Sequence, residues 1–171
     1  MRLKDCYNFH DFRTLARRRL PAPIYNYIDG AADDEKSHRR NTISFDACDL
    51  VPNVLRGVKD IDMSVTVMGQ KLEMPIYCSP TALQRLFHHE GERAVASAAE
   101  KFGTMFGVSS LGTVSLQEVR KHSNPQVYQF YFHKDRGLNN AMMSDAKKAG
   151  VEVMMLTVDT ITGGNRERDL R

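Results

Sequence analysis

The chain of 171 residues has no tryptophan, only three cysteines, no long hydrophobic run and no excess of charge of one sign. Cys6, Cys48 and Cys78 are odd in number and share no C-x-x-C spacing, which argues against both a disulfide framework and a zinc site and favours a reducing compartment. No stretch approaches the ~18 consecutive apolar residues of a spanning helix. The opening MRLKDCYNFHDF has no apolar core of the kind a secretory signal carries. The expected location is therefore the cytoplasm, with peripheral association at the inner face of a membrane left open. The net charge of +3 comes from interspersed signs, as in Asp33, Asp34 and Glu35 beside Lys36, Arg39 and Arg40, so a nucleic-acid partner is not expected. Arg17, Arg18 and Arg19 form the densest basic run and read as the solvated face of a helix whose other face carries Phe9, Phe12, Leu15 and Ala16. His88, His89 and Glu90 do not make a metal site, because adjacent side chains point apart and no further ligand spacing follows.

What the chain does contain is the make-up of a soluble globular protein, 42% hydrophobic and 26% charged. From residue 75 onward, short β-rich apolar runs alternate with helical patterns, the signature of βα units and a parallel sheet. The runs are PIYCSPTA, TMFGVSS, QVYQFYF and VEVMMLTV. Between them, Ala94, Val95, Ala98, Ala99 and Phe102 recur at helical spacing, Ser115 and Glu118 form a capping box before LQEVRKH, and Lys147, Lys148 and Gly150 mark the end of a third helix. Four such units amount to the first half of a TIM (β/α)8 barrel, for which about 250 residues are typical. The expected organisation is a helical and loop extension over residues 1–60 and a hairpin over 61–74 turning at Gly69-Gln70 and capping the barrel bottom. Strands one to four of an incomplete barrel then fill 75–171. In the extension, a Glu35–Arg39 pair supports a helix over GAADDEKSHRRN.

The polar residues of the four runs fall at or just past their C-terminal ends, where barrel enzymes keep their active sites. Gln129 and Tyr131 are two apart and point to one side of a strand, as do Thr157 and Asp159. An amide, a phenol, a hydroxyl and a carboxylate would then converge on one cavity. Amide and hydroxyl groups suit a neutral heteroaromatic ring with alternating donors and acceptors, and Arg166 or Arg168, on a glycine-loosened loop, suits a carboxylate. For any single residue, marking a strand end or helix cap is an alternative explanation.

Five ordered blocks, LPAPIYNYIDGAADDE, MPIYCSPTALQRLFHHEGE, GVSSLGTVSLQEV, YQFYFHKDRG and LTVDTITGGNRERD, carry a resemblance to the FMN-dependent α-hydroxy-acid dehydrogenase and oxidase family, which includes L-lactate dehydrogenases and glycolate oxidases. The resemblance implies FMN as cofactor, with Pro80, Thr81, Ala82, Ser109, Gln129 and Thr157 as its isoalloxazine contacts. It implies that Tyr27 and Arg166 hold a substrate carboxylate, that Tyr131 bonds the reacting oxygen, and that Asp159 orients a catalytic histidine. None of the six histidines of this chain stands in the family's catalytic motif, so no base is assigned. The chain departs from the family at His89, where a proline is usual, and at Leu111, where glycolate oxidases carry a tryptophan.

The smaller Leu111 favours lactate over glycolate. The implied activity is oxidation of an L-2-hydroxy acid to the 2-oxo acid by a longer enzyme, homo-oligomeric when full length, of which this chain is an N-terminal half inactive by itself. The electron acceptor, whether oxygen, quinone or cytochrome, stays open. The alternatives are a non-catalytic half barrel that binds flavin or associates with itself, and a different barrel enzyme using a phosphate-bearing ligand.

Overall fold

The computed structural model describes residues 2–160 and 162–170. They fall into two compact units, one of residues 2–57 with 162–170 and one of residues 58–160.

The first unit is helical. Helix α1 (Phe9–Arg19) starts where Asn8 accepts a hydrogen bond from the Asp11 amide at 3.0 Å, one of the orphan donors a helix start must satisfy. It buries Leu15, while Phe9 and Phe12 stay exposed, and Arg17 to Arg19 occupy its last turn, where the helix dipole favours cations. Helix α2 (Ala22–Asp29) buries Tyr25. Helix α3 (Lys36–Ile43) lacks the expected support from a Glu35–Arg39 pair: the Glu35 carboxylate turns back to the Ala31 amide at 3.0 Å and to Arg168 at 3.3 Å. The segment after residue 161 closes the unit with a 3-10 turn over Glu167–Leu170.

The second unit holds the sheets. Strands β1 (Val65–Val67) and β2 (Gln70–Leu72) form an antiparallel hairpin. Its turn lies at Met68-Gly69, both at positive φ (52° and 75°), one residue earlier than the sequence suggested. A two-residue hairpin requires both central residues in the left-handed region to match the strand twist, and Gln70 is thereby released to open β2. Helix α4 (Glu92–Lys101), helix α5 (Leu116–Val119) and helix α6 (Arg136–Lys148) alternate with β3 (Phe106–Ser109), β4 (Gln126–Tyr131) and β5 (Val153–Thr157), which lie side by side in parallel, in that order. The expected capping box is half made. The Ser115 hydroxyl accepts from the Glu118 amide, but the Glu118 carboxylate pairs with Arg93 instead, and α5 stops at Val119.

The run PIYCSPTA does not form a full strand. Residues 75–82 contribute a single parallel bridge, Cys78 to Phe106, because Pro80, two residues after Cys78 and next in the same ladder, has no N–H to give. The segment still lies directly against β3: a Cβ on Gly107 would sit 2.6 Å from Pro80 Cδ, so only glycine admits this approach.

The pleat sorts side chains onto two faces. Phe106, Val108, Tyr128 and Phe130 face Ala96, Ala99, Val119 and Ala146 of the helices in the main core. On the other face, Val127, Val153 and Met155 pack with Leu72, Val65 and Val67 of the hairpin. The hairpin thus covers the early part of the inner face and leaves the strand ends to polar groups.

Glu100, near the end of α4, accepts from the Ser123 amide (2.8 Å) and hydroxyl (2.7 Å) and pairs with His122 Nδ1 at 2.8 Å. The Ser123 amide first, then His122, hold its carboxyl down to about 2 from an ordinary 4.5. A carboxyl depressed by folding stabilises fully above its unfolded pKa and loses that contribution as pH falls through the folded one. The stability difference between the wild type and Glu100→Gln is therefore expected to shrink as pH falls from about 4.5 towards 2, followed by urea unfolding. A difference independent of pH would contradict the assignment.

Candidate functional site

In β4 and its neighbours, the register decides which polar groups meet. Ser109 of β3 stands opposite Gln129 of β4, and Tyr131 of β4 opposite Thr157 of β5. The Gln129 side chain, almost fully buried, spans all three strands. Its Oε1 accepts from the Ser109 hydroxyl (3.2 Å), the Ser110 amide (3.3 Å) and the Ser110 hydroxyl (3.4 Å), and its Nε2 donates to the Thr157 hydroxyl at 2.7 Å. The Ser109 hydroxyl also accepts from the Leu111 amide at 3.1 Å. These groups sit at the C-terminal ends of parallel strands, past the hairpin-covered core.

Pro80, Thr81 and Ala82 lie in the loop beside β3, half-buried, with Pro80 against Gly107 and the Thr81 carbonyl accepting from Gln84 Nε2 at 3.3 Å. Tyr131 lines a cleft of about 340 Å³ together with Thr157, Phe132, Leu156, Val158 and Thr160. Asp159 lies just past this cleft, exposed, and pairs with no cation among the described residues. The structure therefore joins Ser109, Gln129 and Thr157 directly, sets Tyr131 next to Thr157, and leaves Asp159 outside that hydrogen-bonded cluster.

The donor set fits a neutral, planar, hydrogen-bonding ring such as the isoalloxazine of FMN. The cluster has no formal charge, presents an amide with both donor and acceptor, two kinds of hydroxyl and a backbone N–H, and lies where the chain approach at Gly107 and Pro80 is too tight for a Cβ. Tyr131 and the apolar walls around it offer a flat edge beside those groups.

The first unit holds the other two predicted residues. Arg166 stacks its guanidinium over the Tyr27 ring, 5.2 Å from the centroid, and donates to the Tyr27 carbonyl. Its guanidinium is already occupied. Nε and Nη2 hold the two oxygens of Asp169 at 2.7 and 3.3 Å, a side-on, two-point carboxylate bond. Asp169 thus occupies the guanidinium with a carboxylate of the chain itself. The sequence held a signal for it, an acidic residue at i+3 from Arg166.

Arg168 has a different occupation. It bonds Asp29 (3.0 Å), Glu35 (3.3 Å) and the Asn26 side chain (3.3 Å), while Arg13 takes the second Asp29 oxygen. Burial acts to raise the Asp29 pKa, but the hydrogen bonds from Arg13 and Arg168 outweigh it and hold the carboxyl below its ordinary value. Of the two loop arginines, Arg168 is committed to anchoring the loop.

Asn139 is a residue the sequence did not single out. It is buried in the first turn of α6, accepts from the His133 amide at 2.9 Å and donates to the His133 carbonyl at 2.8 Å, pinning the loop that leaves Tyr131. A polar residue on the covered side of a helix was the only available hint.

Three comparisons bear on this geometry. The model of a family described as FMN-dependent dehydrogenase matches residues 16–171. Glycolate oxidase 1 of Oryza sativa subsp. indica is 37% identical over 166 residues, which are 96% of this chain and 45% of that protein. The L-lactate dehydrogenase (cytochrome) of Wickerhamomyces anomalus is 36% identical over 99% of this chain and 30% of its own length. A solved Pediococcus acidilactici protein classed as a lactate oxidase superposes with a TM-score of 0.92 at 30% identity, covering 97% of this chain and 47% of that one. This chain thus spans less than half the length of these relatives.

The Gln129 bridge couples Gln129→Leu and Thr157→Val. A double-mutant cycle by urea unfolding is expected to give a coupling of about 1 kcal/mol, the worth of one net hydrogen bond. Strict additivity would show that the two side chains do not bond.

Proposed function

We propose that this chain, which belongs to the FMN-dependent dehydrogenase family, supplies the flavin-ring and substrate contacts of an enzyme that oxidises an L-2-hydroxy acid to the 2-oxo acid. The observation that carries the proposal is the Gln129 amide joining Ser109 and Thr157 across three parallel strand ends. Bound FMN would supply the redox chemistry, accepting the two electrons that leave the substrate carbon.

The side chains have separable tasks. Ser109, Gln129 and Thr157, with the backbone and hydroxyl of Pro80-Thr81-Ala82, would hold the ring by its polar edge. Arg166, supported by Tyr27, would take the substrate carboxylate in the two-point fashion it now offers Asp169. Tyr131 would donate to the oxygen on the reacting carbon, holding the hydroxyl where a base can remove its proton. Asp159 would orient that base and stabilise its charged form, as a carboxylate does for a histidine. Leu111, half exposed at the end of β3, leaves room for a methyl group on the substrate, which favours lactate over glycolate.

Residues 75–171 are read as the first half of a (β/α)8 barrel, 61–74 as its bottom-capping hairpin and 1–60 as an extension. Complete turnover is assigned to a longer polypeptide, since the relatives are more than twice this length; a homo-oligomer in the cytoplasm or at the inner face of a membrane belongs to the same reading. Names among the relatives point to oxygen or a cytochrome as electron acceptor. A second reading, a flavin-binding or self-associating module without turnover, draws on one observation: Met154, Leu156 and Val158 are exposed on and beside β5, which pairs on one side only among the described residues. FMN affinity and turnover measured on residues 1–171 separate the two, because the module binds flavin tightly by itself.

The purified longer enzyme is expected to be yellow and to bleach without oxygen on addition of L-lactate. A colourless protein, or a yellow one that no 2-hydroxy acid bleaches, would contradict the proposal.

A further inference from the structure

Behind the strand ends lies a buried carboxylate that none of these tasks uses. Glu92, the first residue of α4, has no exposed surface. Both of its oxygens are taken by one residue: Oε1 accepts from the Thr113 amide at 2.8 Å and Oε2 from the Thr113 hydroxyl at 2.7 Å. A threonine hydroxyl has one proton to give and lone pairs to receive with. Here the proton goes to Glu92, and a lone pair accepts the Arg85 amide at 3.1 Å.

Thr113 therefore joins three segments: the start of α4, the loop that follows Pro80-Thr81-Ala82, and the loop that follows β3. The same two loops meet again where the Leu83 amide donates to the Leu111 carbonyl at 3.1 Å. The second is tied back to the strand end by the Leu111 amide on the Ser109 hydroxyl and the Gly112 amide on the Ser109 carbonyl. An acidic residue in the first turn of a helix gains from the dipole while remaining in water, so the dipole alone does not account for complete burial. A buried carboxylate persists only where donors meet it, and the donors here belong to a loop beside the cluster.

We infer that Glu92 and Thr113 are positioning residues that clamp loop 80–86 to loop 109–113, presenting Pro80-Thr81-Ala82 and Ser109 to one ring as a single rigid edge. The clamp itself is a matter of the free chain; its purpose rests on the flavin reading of that site. Neither residue touches the Gln129 cluster directly, and both act through the loops they hold.

The test uses Thr113→Val, which keeps the shape and removes the hydroxyl, with Thr113→Ser as the conservative partner. In the flavin-free chain of 171 residues, Thr113→Val is expected to speed amide hydrogen exchange at Leu83 and Gly112 by ~10-fold while the amides of β4 keep their protection, and Thr113→Ser restores both. In the longer enzyme, fluorescence quenching on adding FMN is expected to show affinity falling ~10-fold in Thr113→Val and recovering in Thr113→Ser. Unchanged exchange at Leu83 and Gly112, or a rise spread equally over β4, overturns the clamp. Loosened loops with unchanged FMN affinity overturn its positioning role. A longer wild-type enzyme that fails to bind FMN contradicts the flavin reading, and the exchange pattern alone then decides the clamp.

Discussion

The parallel register of β3, β4 and β5 is the constraint on which the site depends. Because Ser109 stands opposite Gln129 and Tyr131 opposite Thr157, one long amide can reach a hydroxyl on each neighbouring strand. A slip of a single residue would turn every one of these side chains to the helical face and place Tyr128 and Phe130 among them. The apolar contacts of Val127, Val153 and Met155 with the hairpin hold that register from the other end of the same face. Packing and polar chemistry are thus distributed along each strand, with the dry part under β1 and β2 and the hydrogen-bonded part at the C-terminal ends.

The arginine loop divides its labour in a comparable way. Arg168 is spent on Asp29, Glu35 and Asn26, in a network that also takes in Arg13. Arg166, two residues earlier, holds a local carboxylate, the Tyr27 carbonyl and an aromatic face. The Arg166–Asp169 pair is local, between residues three apart. In the proposed reading an incoming carboxylate displaces Asp169 and meets a guanidinium already oriented for it.

Much of this was legible beforehand, for physical reasons that differ from element to element. The runs at 106–109, 126–131 and 153–157 announced strands because they are rich in apolar, β-branched and aromatic residues, and the helical spacing of Ala94, Val95, Ala98, Ala99 and Phe102 announced α4. The placement of polar residues two apart at strand ends identified Gln129 and Thr157. Residues 75–82 misled because apolar content alone does not reveal that Pro80 leaves the backbone only one bridge. The turn at Met68-Gly69 was misplaced because a methionine at positive φ has no local signature. The Arg168 to Asp29 and Asn26 bonds link residues more than a hundred positions apart, and Thr113's bond to Glu92 crosses from a loop to a helix start. No pattern within a window of sequence encodes such pairs.

The central claim is that the Gln129 amide is the hinge of a flavin-binding edge. Its most direct test is the nuclear magnetic resonance spectrum of the Gln129 side-chain amide as FMN is added. The account predicts that the Gln129 side-chain signals and the Ser110 backbone amide shift on binding, while the side chain of Gln126, at the opposite end of the same strand and bonded to the Val119 carbonyl, does not. Binding of FMN that leaves the Gln129 signals unmoved would contradict it.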